Sequence, residues 1–231
     1  MTVALKSIIF DCDGVLVDSE MLSASVLMAM MAEIGLPITT QIFRSDFLGR
    51  SFANAALRAA QRFGVPLPED FQLRYRERLL RRMEAELRPM PGVAEMLGAV
   101  TAPYWLATSS SPQRLALSLR VAGLDGFFGA RVSTAAEVAH GKPAPDLFLH
   151  AAQSAGFEPS TCLVIEDSEM GIRAARAAGM TVWHFAGGSH IRAGYTLPRD
   201  IAPDSVISDM SALRIALVAM GLGRNTQVSL G

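Results

Sequence analysis

Short apolar runs recur along this chain, separated by stretches with helical periodicity. Ser7–Phe10, Tyr104–Ala107, Cys162–Ile165, Thr181–Phe185 and Ser205–Ile207 are mostly apolar, and most are bounded by Gly, Pro, Asp or Ser, as strand ends should be. Arg131–Ser133 is a weaker strand candidate. Between these runs, Pro112–Ala122, Asp146–Ala155 and Ser168–Ala178 read as helices followed by Gly123, Gly156 and Gly179. Glycine just past a helix takes the left-handed cap conformation without a Cβ penalty. Alternating strands and helices predict an α/β core: a doubly wound parallel sheet covered on both faces.

One stretch breaks the alternation. From about residue 19 to 88 the pattern gives helices only, at Glu20–Ile34, Thr40–Phe47, Phe52–Phe63 and Glu69–Arg88. Gly35 and Gly64 close two of them, and Pro89-Met90-Pro91-Gly92 reads as the return linker. The expected division is a core of residues 1–17 and 89–231 with an α-helical cap domain, 18–88, inserted after the first strand. Ligands bind beyond the carboxyl ends of the strands in open parallel sheets. A domain inserted there is placed to cover the site.

Composition narrows the function classes. The 231 residues are 50% hydrophobic and 19% charged, enough for a sizeable core without bulk disorder. A net charge of -1 lacks the basic balance of a nucleic-acid binder. The arginine-rich stretch Arg74–Arg88 does not change this. Glu77 and Arg81, and Arg82 and Glu86, sit at i,i+4 spacing with few aromatics between them, which suits a solvated, ion-paired face. Cys12 and Cys162 are the only cysteines, too few for a disulfide framework or a zinc site, so a reducing cytoplasm is expected. No membrane partner is expected either: no apolar run nears the roughly 20 residues of a membrane span, and the first one stops at Asp11 before resembling an export signal. Monomer and homodimer are equally compatible with the sequence.

Four polar segments sit at predicted strand ends or in a stiff loop. The first strand runs into Phe10-Asp11-Cys12-Asp13-Gly14. Two such close carboxylates after an apolar strand carry desolvation and repulsion costs unless a cation or proton offsets them; a polar turn bent at Gly14 is the plainer alternative. Thr108-Ser109-Ser110-Ser111 offers hydroxyls and amides just before a helix, where phosphate is favoured, although serines there also serve as simple N-caps. Gly141-Lys142-Pro143-Ala144-Pro145-Asp146 holds a lysine in a loop stiffened by two prolines. Glu166-Asp167 puts adjacent acids at another strand end, an arrangement that suits ligation of a hard cation.

In this order the segments FDCDGVLVDSE, LATSS, GKPAPD and VIEDSEMGIRAARAAGM resemble the haloacid dehalogenase superfamily. More narrowly, they resemble its phosphatase and β-phosphoglucomutase-like branch, which has a Rossmann-like core and a helical cap. The resemblance covers nearly the whole chain. It implies that Asp11 attacks phosphorus to form an aspartyl-phosphate, and that Asp13 protonates the leaving oxygen and later deprotonates water. It further implies that Asp11, the Asp13 backbone carbonyl and Asp167 hold Mg²⁺, while Thr108, the Ser109 amide and Lys142 hold phosphate oxygens. Glu166 orients Lys142 or a metal-bound water, with direct ligation left open. In the cap, Leu48-Gly49-Arg50-Ser51 corresponds to a segment that faces the site and helps choose the substrate, so Arg50 is a substrate-binding candidate beside its plainer reading as a helix connection. The implied partner is a small phosphorylated metabolite; sugar and sugar-acid phosphates lead, with phosphoglycolate and nucleoside monophosphates also open.

Other features carry less. Strand alternation turns Cys12 away from the two aspartates, His140 lacks a second histidine at ligand spacing, and Met28, Met30 and Met31 suit helix packing. Dehalogenase relatives lack an acid at the position of Asp13, because halide departure needs no proton. In mutase relatives a cap histidine stands where this chain has Ser23, and that departure favours hydrolysis. A non-catalytic phosphometabolite-binding module would not require both a nucleophile and its acid.

Overall fold

The computed structural model describes residues 4–50 and 52–224. Its six strands are β1 (Ser7–Phe10), β2 (Tyr104–Thr108), β3 (Val132–Thr134), β4 (Cys162–Glu166), β5 (Thr181–Phe185) and β6 (Ser205–Ile207). They form one parallel sheet in the order β3-β2-β1-β4-β5-β6. β1 lies between β2 and β4 and is buried along its whole length. Successive residues alternate between two apolar cores. Ile8, Phe10, Leu163 and Ile165 belong to one, and Ile9, Cys162 and Val164 to the other, following the two-residue period of a strand. Burial on both faces explains why these strands read as continuous apolar runs.

The structure extends β2 to Thr108 and β4 to Glu166 and shifts β3 to Val132–Thr134, relative to the sequence pattern. The cause is the neighbouring backbone, since Thr108 pairs with Thr134 and Glu166 with His184. A ladder partner continues a strand after its apolar residues end.

Four helices follow β1: α1 (Glu20–Glu33), α2 (Thr40–Asp46), α3 (Phe52–Phe63) and α4 (Phe71–Glu86). Met30, Met31, Phe71 and Met83 are fully buried among them, and Met28 packs at the edge of that cluster. The outward side of α4 is ion-paired, Arg74 to Asp70 at 3.5 Å, Arg81 to Glu77 at 3.7 Å and Arg82 to Glu86 at 2.5 Å, with Arg78 reaching Glu33 on α1 at 2.5 Å. The outgoing and returning chains are tied together by Asp18 N–H to Arg88 C=O (3.0 Å) and Met90 N–H to Leu16 C=O (2.9 Å).

The remaining helices are α5 (Val93–Ala99), α6 (Pro112–Ala122), α7 (Asp125–Phe128), α8 (Asp146–Ala155), α9 (Glu169–Ala177), α10 (Ser189–Arg192) and α11 (Met210–Ala219). α5, α7, α10 and α11 have no counterpart in the sequence reading. α10 fastens the start of the helical insert, because Asp18 Oδ1 accepts from Ser189 N–H (3.0 Å) and Ser189 Oγ–H (2.8 Å). Among the described residues, no helix is long and apolar enough to cross a membrane.

Ile9 lies at the sheet centre, fully buried and paired to Trp105 and Val164. Ile9→Ala is expected to cost about 2–5 kcal/mol. Urea unfolding should show a lower midpoint at an unchanged slope.

Candidate active site

The carboxyl ends of β1, β2 and β4 converge. Asp11 follows β1, and its N–H continues the ladder to Ile165 C=O at 3.0 Å. Thr108 ends β2, Glu166 ends β4, and Asp167 follows it. Lys142, 1% exposed, enters from the loop before α8. Its Nζ donates to Asp11 Oδ1 at 2.6 Å, Glu166 Oε1 at 2.7 Å and Ala107 C=O at 3.4 Å, which uses the three donors of an ammonium. Glu166 Oε2 accepts from Ser168 N–H at 2.8 Å and Ser168 Oγ–H at 3.0 Å. Ser168 also N-caps α9 by accepting from Gly171 N–H at 3.2 Å. A Cβ at Gly171 would fall 1.7 Å from Glu166 Oε1, so only glycine lets α9 start this close to the carboxylate.

Burial raises the Asp11 pKa well above the usual carboxylate range; Lys142 opposes this, while Glu166, Asp167 and Asp13 reinforce it. Asp167 is raised for the same first reason, with Glu166 adding to it. Burial alone would also raise Glu166, but Lys142 and Ser168 outweigh it and hold that group below its ordinary value. Burial works against the charge on Lys142, yet Asp11 and Glu166 shift its pKa upward. Asp11, Glu166 and Asp167 each offer an oxygen within 4.8 Å of the others. Asp167 Oδ2 is buried without a hydrogen bond, although His190 Nε2 lies 3.0 Å away. Three clustered carboxylates with one ammonium and an orphaned oxygen fit a hard divalent cation such as Mg²⁺. Gly14 makes the site compact. Its φ is +79°, and a Cβ there would lie 1.8 Å from Asp167 Oδ2.

The Asp13 carboxylate points away from this cluster. It accepts from Ser19 Oγ–H at 2.5 Å, Ser110 Oγ–H at 2.5 Å and Arg114 Nη2–H at 2.6 Å. Burial by itself would raise its pKa, but Arg114 and the two serines outweigh it and hold the group low. Only the Asp13 backbone, not its side chain, is left for the implied metal role. Arg114, in the first turn of α6, also donates to Ser23 Oγ at 3.0 Å and thereby links the core to α1.

All the residues singled out from the sequence, Asp11, Asp13, Arg50, Thr108, Ser109, Lys142, Glu166 and Asp167, line one cavity of about 310 Å³. The Ser109 hydroxyl is buried without a partner, whereas Thr108 Oγ1 accepts from Ser110 N–H at 3.0 Å. Arg50 is half-buried, and Ser51 of its loop lies outside the described residues. Cys12 is packed into the apolar core, and His140 sits exposed beside Asp146 at 3.0 Å.

The family described as haloacid dehalogenase-like hydrolase matches residues 5–179, the span that carries every one of these side chains. The chain belongs to the haloacid dehalogenase-like hydrolases. It is 26% identical over 187 residues to the 6-phosphogluconate phosphatase of Escherichia coli (strain K12), covering 80% of this chain and 85% of that one. It is 31% identical over 190 residues to a phosphorylated carbohydrates phosphatase of Thermotoga maritima, covering 76% and 82%. Among solved structures, a haloacid dehalogenase family hydrolase from Deinococcus radiodurans R1 with bound phosphate and sodium aligns with a TM-score of 0.73 at 33% identity, over 96% of this chain and 99% of that one.

Sequence reasoning missed several residues of this haloacid dehalogenase-like hydrolase. Arg114, Glu20, Tyr75 and Arg76 also line the cavity. Glu20 is pushed to about 7 by burial, with Asp13 and Asp167 adding to the effect. Arg114 had one signal, its place in the turn capped by Ser111, but nothing local says that it reaches Asp13.

The raised Asp11 and Asp167 give a stability signature. Between the ordinary carboxylate pKa of about 4 and their raised values, the folded state binds more protons than the unfolded state. Stability of the cation-free protein therefore falls as pH rises through that window. Added Mg²⁺ should raise Tm more at pH 8 than at pH 5, and Asp167→Asn should raise the cation-free Tm at pH 8 while shrinking the Mg²⁺ response. Differential scanning calorimetry checks both, and an equal Mg²⁺ shift at the two pH values would contradict a carboxylate cation site.

Proposed function

We propose that this hydrolase is a Mg²⁺-dependent phosphatase that cleaves a small phosphorylated metabolite, a sugar or sugar-acid phosphate, with Asp11 as the nucleophile. The observation that carries the reading is the buried Lys142 held between Asp11 and Glu166, with Asp167 beside them and Thr108 and Ser109 at the neighbouring strand end. The phosphatase names of the relatives support the reaction class. We take residues 18–88 as a cap over a core of 1–17 and 89–231. Two free buried cysteines suit a cytoplasmic setting.

In this reading Asp11, the Asp13 carbonyl and Asp167 hold the cation, and Glu166 acts through Lys142. The cation, when bound, supplies positive charge between the carboxylate and the phosphate. Lys142 supplies the same from the protein, and the Ser109 amide and Thr108 hydroxyl orient phosphate oxygens. An Asp11 oxygen bonds to phosphorus as the bond to the leaving oxygen breaks, and that oxygen takes a proton from Asp13. Water then attacks phosphorus, Asp13 takes its proton, and the phosphorus–Asp11 bond breaks to free inorganic phosphate. Held anionic by Arg114, Ser19 and Ser110, Asp13 is in the protonation state of the second step. The first step needs it protonated and released from Arg114.

Hydrolysis is favoured over sugar-phosphate mutase chemistry by Ser23. Its hydroxyl is bonded to Arg114 and does not titrate near neutral pH, so it cannot couple an acid's position to protonation as an imidazole does. Two experiments test the reading. Asp13→Asn should slow hydrolysis of a sugar phosphate by about 10²–10⁴-fold and that of p-nitrophenyl phosphate by less, since its leaving group scarcely needs a proton. Equal losses on both would remove Asp13 as the acid. In the second, the protein is given Mg²⁺, β-glucose 1-phosphate and a trace of the 1,6-bisphosphate. Free phosphate should dominate over glucose 6-phosphate, and the opposite ratio would make it a mutase.

A further inference from the structure

Four cationic side chains line the cavity: Lys142, Arg114, Arg50 and Arg76. Two are committed. Lys142 is held by Asp11 and Glu166, and Arg114 by Asp13, Ser19 and Ser23. Arg50 and Arg76 differ, because neither makes an ion pair or hydrogen bond among the described residues, and Arg50 Nε is buried without a partner. The contrast along α4 is informative. Arg74, Arg78, Arg81 and Arg82 each have a carboxylate partner on the outer side. Gln72, Tyr75, Arg76, Leu79 and Leu80, spaced as one helical face, line the cavity instead. The α4 arginine left without a counter-charge on this stretch is thus the one that lines the cavity.

The cavity is polarised as a result. Four of its five carboxylates gather beyond the strand ends, with Glu20 at the start of α1 the exception, and its uncommitted positive charge lies on the helical insert that covers them. From this placement we infer that Arg50 and Arg76 form a subsite for a second anionic group, a carboxylate at the far end of an open-chain phosphorylated substrate. This rests on the phosphatase reading, with the phosphate group seated at Asp11. The guanidinium fork suits a carboxylate, which it binds through two parallel charged hydrogen bonds. Arg50 also gains from an incoming anion, since burial and then Arg58 disfavour its charge in the free protein. A neutral sugar leaves both cations uncompensated, and so does a nucleoside.

The test uses substrates that differ only at the distal carbon: glycerol 3-phosphate against 3-phosphoglycerate, and ribitol 5-phosphate against 5-phosphoribonate. With Mg²⁺ present, p-nitrophenyl phosphate first reports the wild-type phosphatase activity. The acid of at least one pair should exceed its alcohol twin in kcat/KM by about tenfold or more, the worth of one charged hydrogen bond. Arg76→Gln and Arg50→Gln should each lower the acid's kcat/KM, mainly through KM, and bring the ratio towards one, while Arg76→Lys keeps part of it. Turnover of p-nitrophenyl phosphate with no preference between the wild-type twins overturns the inference alone. So does a ratio that survives both glutamine variants, or a preference for uridine or adenosine monophosphate over both acids. No turnover of p-nitrophenyl phosphate overturns the phosphatase reading and this subsite with it.

Discussion

The site depends on compensating buried negative charge at the carboxyl ends of an open parallel sheet. Asp11, Glu166 and Asp167 are buried within reach of one another. At about 4 Å and an effective dielectric near 20, each like-charge pair repels by about 4 kcal/mol, comparable to much of a domain's net stability of about 5–15 kcal/mol. Lys142 is the internal answer. Its single charge is shared between Asp11 and Glu166, and Asp167 is left with an unsatisfied oxygen and a raised pKa. The same deficit that penalises the cation-free protein makes the position attractive to a divalent ion. Stability and cation affinity are therefore opposite sides of one electrostatic arrangement.

Geometry follows from that constraint. To bring the acids together, the chain brings backbone within contact distance at two places. The Gly14 turn runs against Asp167, and the first turn of α9 runs against Glu166 at Gly171. Ser168 serves both ends of this contact by capping α9 and donating to Glu166. Asp18 is fastened to α10 and not to the clustered acids, so the third acid of the opening motif anchors the insert. One motif thus divides its aspartates between a lysine-bonded cluster, an arginine-bonded carboxylate and a structural tie.

The helical insert carries the other half of the problem. Arg114 on the core and Ser23 on the insert meet beside Asp13, so the position of the insert and the environment of the acid are mechanically connected. α4 shows how one helix serves two purposes. Its outer arginines are neutralised by glutamates and an aspartate, and its inner face lines the cavity. A stretch that looks uniformly basic in one dimension separates into a solvated stripe and a cavity wall in three.

How much was legible follows the range of the interactions. Strands β1, β4 and β5 announced themselves because burial on both faces demands unbroken apolar residues, and helices α6 and α8 because Gly123 and Gly156 mark their ends. Asp11, Asp13, Lys142, Glu166 and Asp167 stood out because charge at an apolar strand end or in a proline-stiffened loop has few structural explanations. The short helices α7 and α10 were invisible, since four residues hold too little periodicity to detect. Arg114, Glu20, Tyr75 and Arg76 were equally silent. Each is an ordinary residue in an ordinary helix, and its meaning comes from a partner or cavity far away in the chain, as when Arg114 meets Asp13 across 101 positions. The sequence by itself determined which elements form and which residues have no comfortable place except a charged site, because those are local costs of burial and backbone conformation. Tertiary structure alone decided that Lys142 bridges two carboxylates, that Asp13 turns to Arg114, and which arginines stay unpaired, because electrostatic partnership is a property of distance in space.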